Sequence, residues 1–460
     1  MEQGGDALQI MVRLIVVAAF CLGARLAHAQ AFPIDDVDKW LDGLHKSHGF
    51  SGAVVVMRDG NVVYARGVGN ANAETERAFT PDTPTDGGSL AKPFTAASLL
   101  MLVDDGSIDL RSPVKRYVGE YPDAKTTVHD LMAHGAPLPD YDAFKPLFNE
   151  GKPVTTLALI KESANVPGTP TQPAPRFSYC NLCLDAVALV IERVTSKRFD
   201  AVLRQQIFFY LGIDNAFIRP ARLAALPADR AVGYRMKDGR RERFDAEDLE
   251  GFYGGGNLYA SARNFARFAN AFAVPVQGNR RFALSPKTPW PLLPADGITY
   301  GLTLGNWYCV ASGERCYHPS VDRGFSNVMY WDRTKRIVVV HVSNSSIAPW
   351  LQPLITRELI AAAEGRNVAR LVEPKHIPLT PEALKSAAGI YDVPGAGRVT
   401  LSMVDDTPFL RSDVGFHYRL HPVSPTMLYA PGLDAYIGIG EDKRLSWTSV
   451  FLESFGIRVV

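Results

Sequence analysis

The chain has 460 residues, 47% hydrophobic and 21% charged, which is ordinary globular usage with room for two or three domains. Its 49 Lys and Arg against 48 Asp and Glu leave a formal charge of +1, so charge gives no ground for a nucleic-acid partner or an anionic membrane surface. Taken in order, the elements then narrow the chemistry.

Leu14 to Gly23 is a short apolar run preceded by Arg13, and Ala27-His28-Ala29 offers an A-x-A cleavage site before Gln30. Residues 1–29 therefore read as a cleavable signal peptide, too short for a membrane span. Glu2 and Asp6 do not suit a basic leader, and Met11 would make a cleaner start. Phe20 before Cys21 argues against lipoprotein processing. The expected location is the periplasm or the medium, with no integral membrane segment after cleavage.

Removing the leader leaves four cysteines, Cys180, Cys183, Cys309 and Cys316, and an even count in an exported chain favours disulfides. Cys309 and Cys316 flank the turn Ala311-Ser312-Gly313-Glu314 and read as a bridged hairpin. Cys180-x-x-Cys183 is either a tight local bridge or a reduced pair. A thioredoxin-like role lacks its strand-to-helix context.

Phe50 to Met57 and Asn61 to Arg66 are β-rich runs joined through Asp59-Gly60, a strong hairpin signal. The stretch around which the rest is arranged comes next. Gly87-Gly88-Ser89-Leu90-Ala91-Lys92 opens an apolar run to Val103 that reads as a buried helix ending at Gly106. Ser89 and Lys92, three apart, share one face, so an amine sits beside a hydroxyl that it can help deprotonate. Thr126 to Tyr141 carries His129 and His134 near Asp130. With neither HExxH nor a cysteine partner there, these read as core or surface histidines, and no metal or cofactor is expected.

Pro175 to Asn181 leads into a helix running to Arg193. Phe252 to Arg263 is a glycine-rich turn entering another helix, and without Gly-Lys-Ser/Thr it is no phosphate loop. Gly324 to Trp331 and Arg336 to Asn344 form a second hairpin-like pair, and Leu354 to Glu364 a closing helix. Beyond Asn367, Pro374, Pro378 and Pro381 mark a linker, followed by short β-rich runs at roughly ten-residue spacing that read as a small antiparallel barrel or sandwich. The expected division is 30–370 for a first domain and 371–460 for linker and barrel.

Three motifs in order, Ser89-x-x-Lys92, Tyr179-x-Asn181 and His318-Pro319-Ser320 shortly before Gly324-Phe325, resemble the active-site signature of the serine β-lactamase-like superfamily, in its class C β-lactamase, DD-peptidase and esterase branch. The likeness runs over roughly residues 35–365, and the tail resembles the lipocalin-like domain of many relatives. It implies an α/β fold: an antiparallel sheet built from both chain ends, flanked by helices, with an all-helical insertion. It implies also that Ser89 is an acylated nucleophile, that Lys92 and Tyr179 move its proton, and that Asn181 contacts the substrate. The N–H groups of Ser89 and Val321 would form the oxyanion hole. Tyr179 can act as a base only if nearby cations favour its phenolate, and Lys92 and a positively charged His318 are the candidates.

Two departures bear on specificity. Ser320 stands where relatives carry glycine, narrowing the cleft, and Pro319 removes an N–H from the strand. Histidine rather than lysine at 318 weakens the hold on a carboxylate near neutral pH. The expectation is an acyl hydrolase of esters, amides or D-amino-acid peptides and a weak β-lactamase, with a small-molecule or peptide substrate. The oligomeric state is left open. A catalytically silent binder of peptidoglycan is the alternative; keeping all four residues of the first two motifs argues against it. A Ser-His-Asp hydrolase is disfavoured because Gly87 to Ala91 only approaches G-x-S-x-G and follows a poor strand.

Overall fold

Alternation of side chains explains the central sheet. The computed structural model describes residues 31–459 except 137, 140, 149–150, 167–178, 238–239, 275–299, 304, 311, 371, 374, 405, 413–416 and 431–432. The leader at 1–29, the run Pro175 to Ser178 and Pro374 lie outside the described residues. Helix α1 (Ile34–His48) precedes the hairpin β1 (Gly52–Arg58) and β2 (Asn61–Val68), whose turn sets Asp59 and Gly60 at φ 53° and 82°. Helices α2 (Ala91–Asp104), α3 (Asn181–Thr195) and α4 (Ala262–Ala273) follow. Strands β3 (Tyr300–Leu302), β4 (Tyr308–Val310), β5 (Arg315–Asp322), β6 (Phe325–Asp332) and β7 (Ile337–Ser343) then complete the sheet, and α5 (Leu351–Ala363) packs back on it.

The sheet order is β3-β4-β5-β6-β7-β1-β2, antiparallel throughout, so strands from both ends of the domain pair at β7 and β1. Both faces are covered, which is why Ile337 to Val340 is a continuous apolar run rather than an alternating one. Val338, Val340 and Val342 face α4 and the inserted helices, whereas Ile337 and Val339 face α1 and α5. The insertion between β2 and β3 is mainly helical, but not wholly so. It also carries short sheets, among them Thr85–Asp86 paired with Leu258–Ala260, and Val154–Thr155 paired with Glu250–Gly251. These strands are two or three residues long, below what a sequence pattern of period two can mark.

The tail begins with α6 (Pro381–Ala387), hidden in the sequence because its proline is the N1 residue, after the Thr380 cap. Then come β8 (Gly389–Val393), β9 (Gly397–Val404), β10 (Thr407–Ser412), β11 (His417–Arg419), β12 (His421–Ser424), β13 (Met427–Ala430), β14 (Ala435–Ile439), β15 (Leu445–Thr448) and β16 (Glu453–Arg458). Each pairs with its sequence neighbour except β11 with β12, and β8 pairs with β16. Because β11 runs into β12 through Leu420, the result is a nearly closed antiparallel barrel of eight strands. Trp447, Leu428, Ile437 and Leu401 are among the side chains that fill it.

The barrel shares a core with the sheet. Met427, Tyr436 and Val450 join the cluster of α1 and α5, and the Phe451 ring packs edge-on against Tyr317 at 4.9 Å. Arg357 on α5 donates to the Ser449 carbonyl at 2.6 Å and pairs with Glu453 at 2.7 Å.

Candidate active site

Ser89 sits in a 3-10 turn, Gly88–Leu90, which feeds directly into α2. The approach is fixed from several sides. The Asn327 side-chain amide donates to the Asp86 carbonyl at 2.9 Å, Gly87 N–H donates to the Leu258 carbonyl at 2.9 Å, and Asp86 Oδ1 accepts Gly88 N–H at 3.0 Å. Gly88 has φ +49°, and a Cβ there would fall 2.5 Å from Ser320 Oγ, so this position calls for glycine twice over.

Lys92 is wholly buried at the start of α2, as the apolar run around it predicts. Its Nζ donates to Ser89 Oγ at 2.8 Å and to the Gly255 carbonyl at 2.7 Å. That carbonyl is delivered by the glycine-rich loop, which is wedged between α2 and α3. A Cβ on Gly254 would lie 2.4 Å from Leu184 O, and one on Gly255 2.5 Å from Asn181 O. Asp185 on α3 secures the loop by accepting Gly255 N–H at 2.7 Å, and Tyr141 donates to its other oxygen at 2.6 Å. Burial raises the Asp185 carboxyl to about 6.

Tyr179 Oη lies 3.0 Å from Ser89 Oγ, and its ring is 5.0 Å from Lys92 Nζ. Two residues on, Asn181 starts α3 and lines the cleft above Ser89 with Tyr141, Phe252, Val321 and Arg323. Cys180, the N-cap between them, is bridged to Cys183 one turn later, so a disulfide lies inside the second motif. The second bridge joins Cys309 to Cys316, directly opposite each other on β4 and β5.

Residues distant in sequence complete the site. His134 stacks on Tyr179 with centroids 5.1 Å apart and planes at 10°. Its Nδ1 accepts Cys180 N–H at 3.0 Å, so Nε2 carries the proton and donates to Asn306 Oδ1 at 2.8 Å. The carbonyl of the same Asn306 accepts the His318 Nδ1 proton at 2.5 Å. Asn306, at φ +57° in a region that asparagine tolerates, thus ties both imidazoles together. Asn306, Gly255 and Asn327 belong to no spacing motif, and His134, read in the sequence as a core or surface histidine, is a core one whose contact with Tyr179 no spacing marks.

His318, one of the two candidate cations for Tyr179, does not supply that charge, in line with its expected weak hold on a carboxylate near neutral pH. The ring is buried, and burial followed by the Lys92 charge holds its pKa well below the ordinary 6.5. With Nδ1 donating to Asn306, Nε2 carries a lone pair and can only accept. Burial likewise lowers His134 to about 4. Of the two proposed cations beside Tyr179, only Lys92 is left.

His318 and Ser320 lie buried beneath the cleft, whereas Val321 is 61% exposed at its edge. Ser320 Oγ accepts the Ser89 backbone N–H at 2.9 Å, and Gln352 on α5 holds the Ser320 carbonyl at 2.7 Å. On the far wall Glu250 is gripped by both Arg219 and Arg323, with Asp322 3.7 Å from Arg323. Among the described residues no group of His, Cys, Asp or Glu is placed to hold a metal, and no helix is long and apolar enough to cross a membrane.

The chain matches the Beta-lactamase family over residues 37–363. It belongs to that family. Beta-lactamase relatives include a penicillin-binding protein of Bacillus subtilis, 23% identical over an alignment of 323 residues that covers 65% of this chain and 69% of the relative. A D-aminopeptidase of Gluconobacter oxydans is 32% identical over 190 residues, 40% of this chain and 35% of that one, so the chain spans about a third of its length. Among solved structures, the octameric penicillin-binding protein homologue from Pyrococcus abyssi superposes with a TM-score of 0.61 at 20% identity. That alignment covers 92% of this chain and 99% of the other, a likeness of fold that includes the tail. The beta-lactamase family comprises serine hydrolases, which fits the fold and the cleft.

Proposed function

We propose that this member of the beta-lactamase family is an exported acyl hydrolase that works through a covalent ester on Ser89. The observation that carries the reading is the mutual hydrogen bonding of Ser89, Lys92 and Tyr179 at a cleft. Lys92 donates to Ser89 Oγ, and Tyr179 Oη lies 3.0 Å from the same oxygen, within reach of the serine's proton. As Ser89 attacks the acyl carbon, that proton passes to Tyr179 and from there to the leaving group, and water then repeats the cycle on the acyl-enzyme. Asn181 steers the acyl chain from the cleft wall, and Val321 N–H faces the acyl oxygen. The disulfides and the apolar leader support export.

The substrate class follows from charge. A neutral His318 removes the fixed cation that would hold a substrate carboxylate, and Arg323 is already matched by Glu250 and Asp322. Loss of a charge-assisted hydrogen bond costs about 1–2 kcal/mol, or roughly five- to thirty-fold in binding. Esters and amides without a carboxylate, amides of D-amino acids among them, are therefore favoured over penicillins. The relation to a D-aminopeptidase is in keeping with this. A fluorophosphonate should label wild type on Ser89 and leave Ser89→Ala unlabelled at an unchanged Tm. Short aryl esters should exceed nitrocefin by orders of magnitude in kcat/KM. Comparable rates on both, or labelling of Ser89→Ala, would overturn the reading.

A further inference from the structure

Acyl transfer of the kind proposed above requires donors at the oxygen that becomes negative, and one of the two main-chain donors is already engaged. The Ser89 N–H points to Ser320 Oγ at 2.9 Å. That hydroxyl is held in place: Ser320 is 3% exposed, its carbonyl is fixed by Gln352, and Gly88 leaves the space beside it free of a Cβ. A hydroxyl that accepts one hydrogen bond still has its own proton to give. Among the described residues, no acceptor faces that proton.

We infer that the Ser320 hydroxyl is itself an oxyanion donor, standing between the Ser89 N–H and the acyl oxygen. When Ser89 Oγ bonds to the acyl carbon, the carbonyl π pair moves onto oxygen and the Ser89 proton leaves for Tyr179. The oxyanion accepts hydrogen bonds from Ser320 O–H and Val321 N–H; Ser320 keeps its proton throughout. On collapse the pair returns, the bond to the leaving group breaks, and Tyr179 returns the proton to that group. A hydroxyl donor to an anion is short and strong, and the Ser89 N–H behind it polarises it further. Because the two hydrogen bonds meet at an angle on the hydroxyl oxygen, the relay sets the acyl oxygen roughly 1.5–2 Å farther from the Ser89 N–H than a direct hydrogen bond would. Narrow, flexible acyl groups can follow that shift, whereas a fused bicyclic lactam cannot.

The inference rests on Ser89 being the nucleophile, so the experiment reads both. Acylation of wild type, Ser320→Ala, Ser320→Thr and Ser320→Gly by an aryl ester is followed in stopped flow, with fluorophosphonate labelling mapped by mass spectrometry. Ser320→Ala should label on Ser89 with an unchanged melting curve and acylate about 10²-fold more slowly, the usual cost of losing one oxyanion donor. Ser320→Thr, which keeps the hydroxyl, should stay within about ten-fold of wild type. Ser320→Gly should recover part of the loss, because it exposes the Ser89 N–H directly. Labelling on Ser89 with Ser320→Ala as fast as wild type, or faster, would overturn the Ser320 role alone. Wild type labelled elsewhere would overturn both readings.

Discussion

His134 gives the molecule a measurable acid limit. In the fold it is neutral, stacked on Tyr179 and joined to Asn306, with its pKa lowered from 6.5 to about 4, mainly by burial. In the unfolded chain it titrates near 6.5. As pH falls below that value the unfolded chain takes up the proton first, so stability drops through the interval from 6.5 to about 4. At ~1.36 kcal/mol per decade this interval amounts to about 3 kcal/mol. Asp86 and Asp185, both raised to about 6, and Asp434, raised to about 7, act in the opposite sense, since the fold binds their protons more readily. The bare pH profile is therefore a sum. A His134→Asn variant isolates the contribution of this imidazole, because asparagine tolerates the positive φ of 53° at this position. Urea unfolding of both proteins between pH 7 and pH 4 gives the test. The variant should be the less stable at pH 7, and the gap should close by about 3 kcal/mol at pH 4. A gap independent of pH would refute the linkage.

Lys92→Ala and Tyr179→Phe should each slow acylation by several orders of magnitude and the double variant hardly more, since both act on one proton; additive losses in stopped flow would mean separate roles. Gly255→Ala should lower stability by about 2–3 kcal/mol, because its Cβ would meet Asn181 O at 2.5 Å and must push the loop from α3. It should also cut acylation, since the carbonyl that holds Lys92 moves with the loop; an unchanged rate would show that this contact is dispensable. Replacing the Cys309–Cys316 pair, which closes a loop with a sequence separation of 7, should cost about 2–3 kcal/mol in urea unfolding. Peptide mapping without reductant should find neither thiol free.

Much of this protein was readable before any coordinates, and for local reasons. The i, i+3 geometry of a helix start placed the Ser89 hydroxyl against the Lys92 amine, and helical sense put Tyr179 and Asn181 at the opening of α3. Asp59-Gly60 and the cysteines flanking a turn defined two hairpins, and the spacing of β-rich runs defined the barrel. What remained hidden depends on groups brought together from far along the chain. No sequence pattern tells that His134 stacks on Tyr179, that Asn306 links it to His318, or that Gly255 offers its carbonyl to Lys92. The charge on His318 could not be read locally either, because it is decided by how completely other segments exclude water from the ring. The same holds for Ser320: its bulk was evident, but only the closeness of β5 to the Gly88 turn turns its hydroxyl toward the Ser89 N–H. Local spacing places Ser89 beside Lys92 and Tyr179 near Asn181, whereas the protonation of the groups around them and the donors they meet are set by tertiary burial.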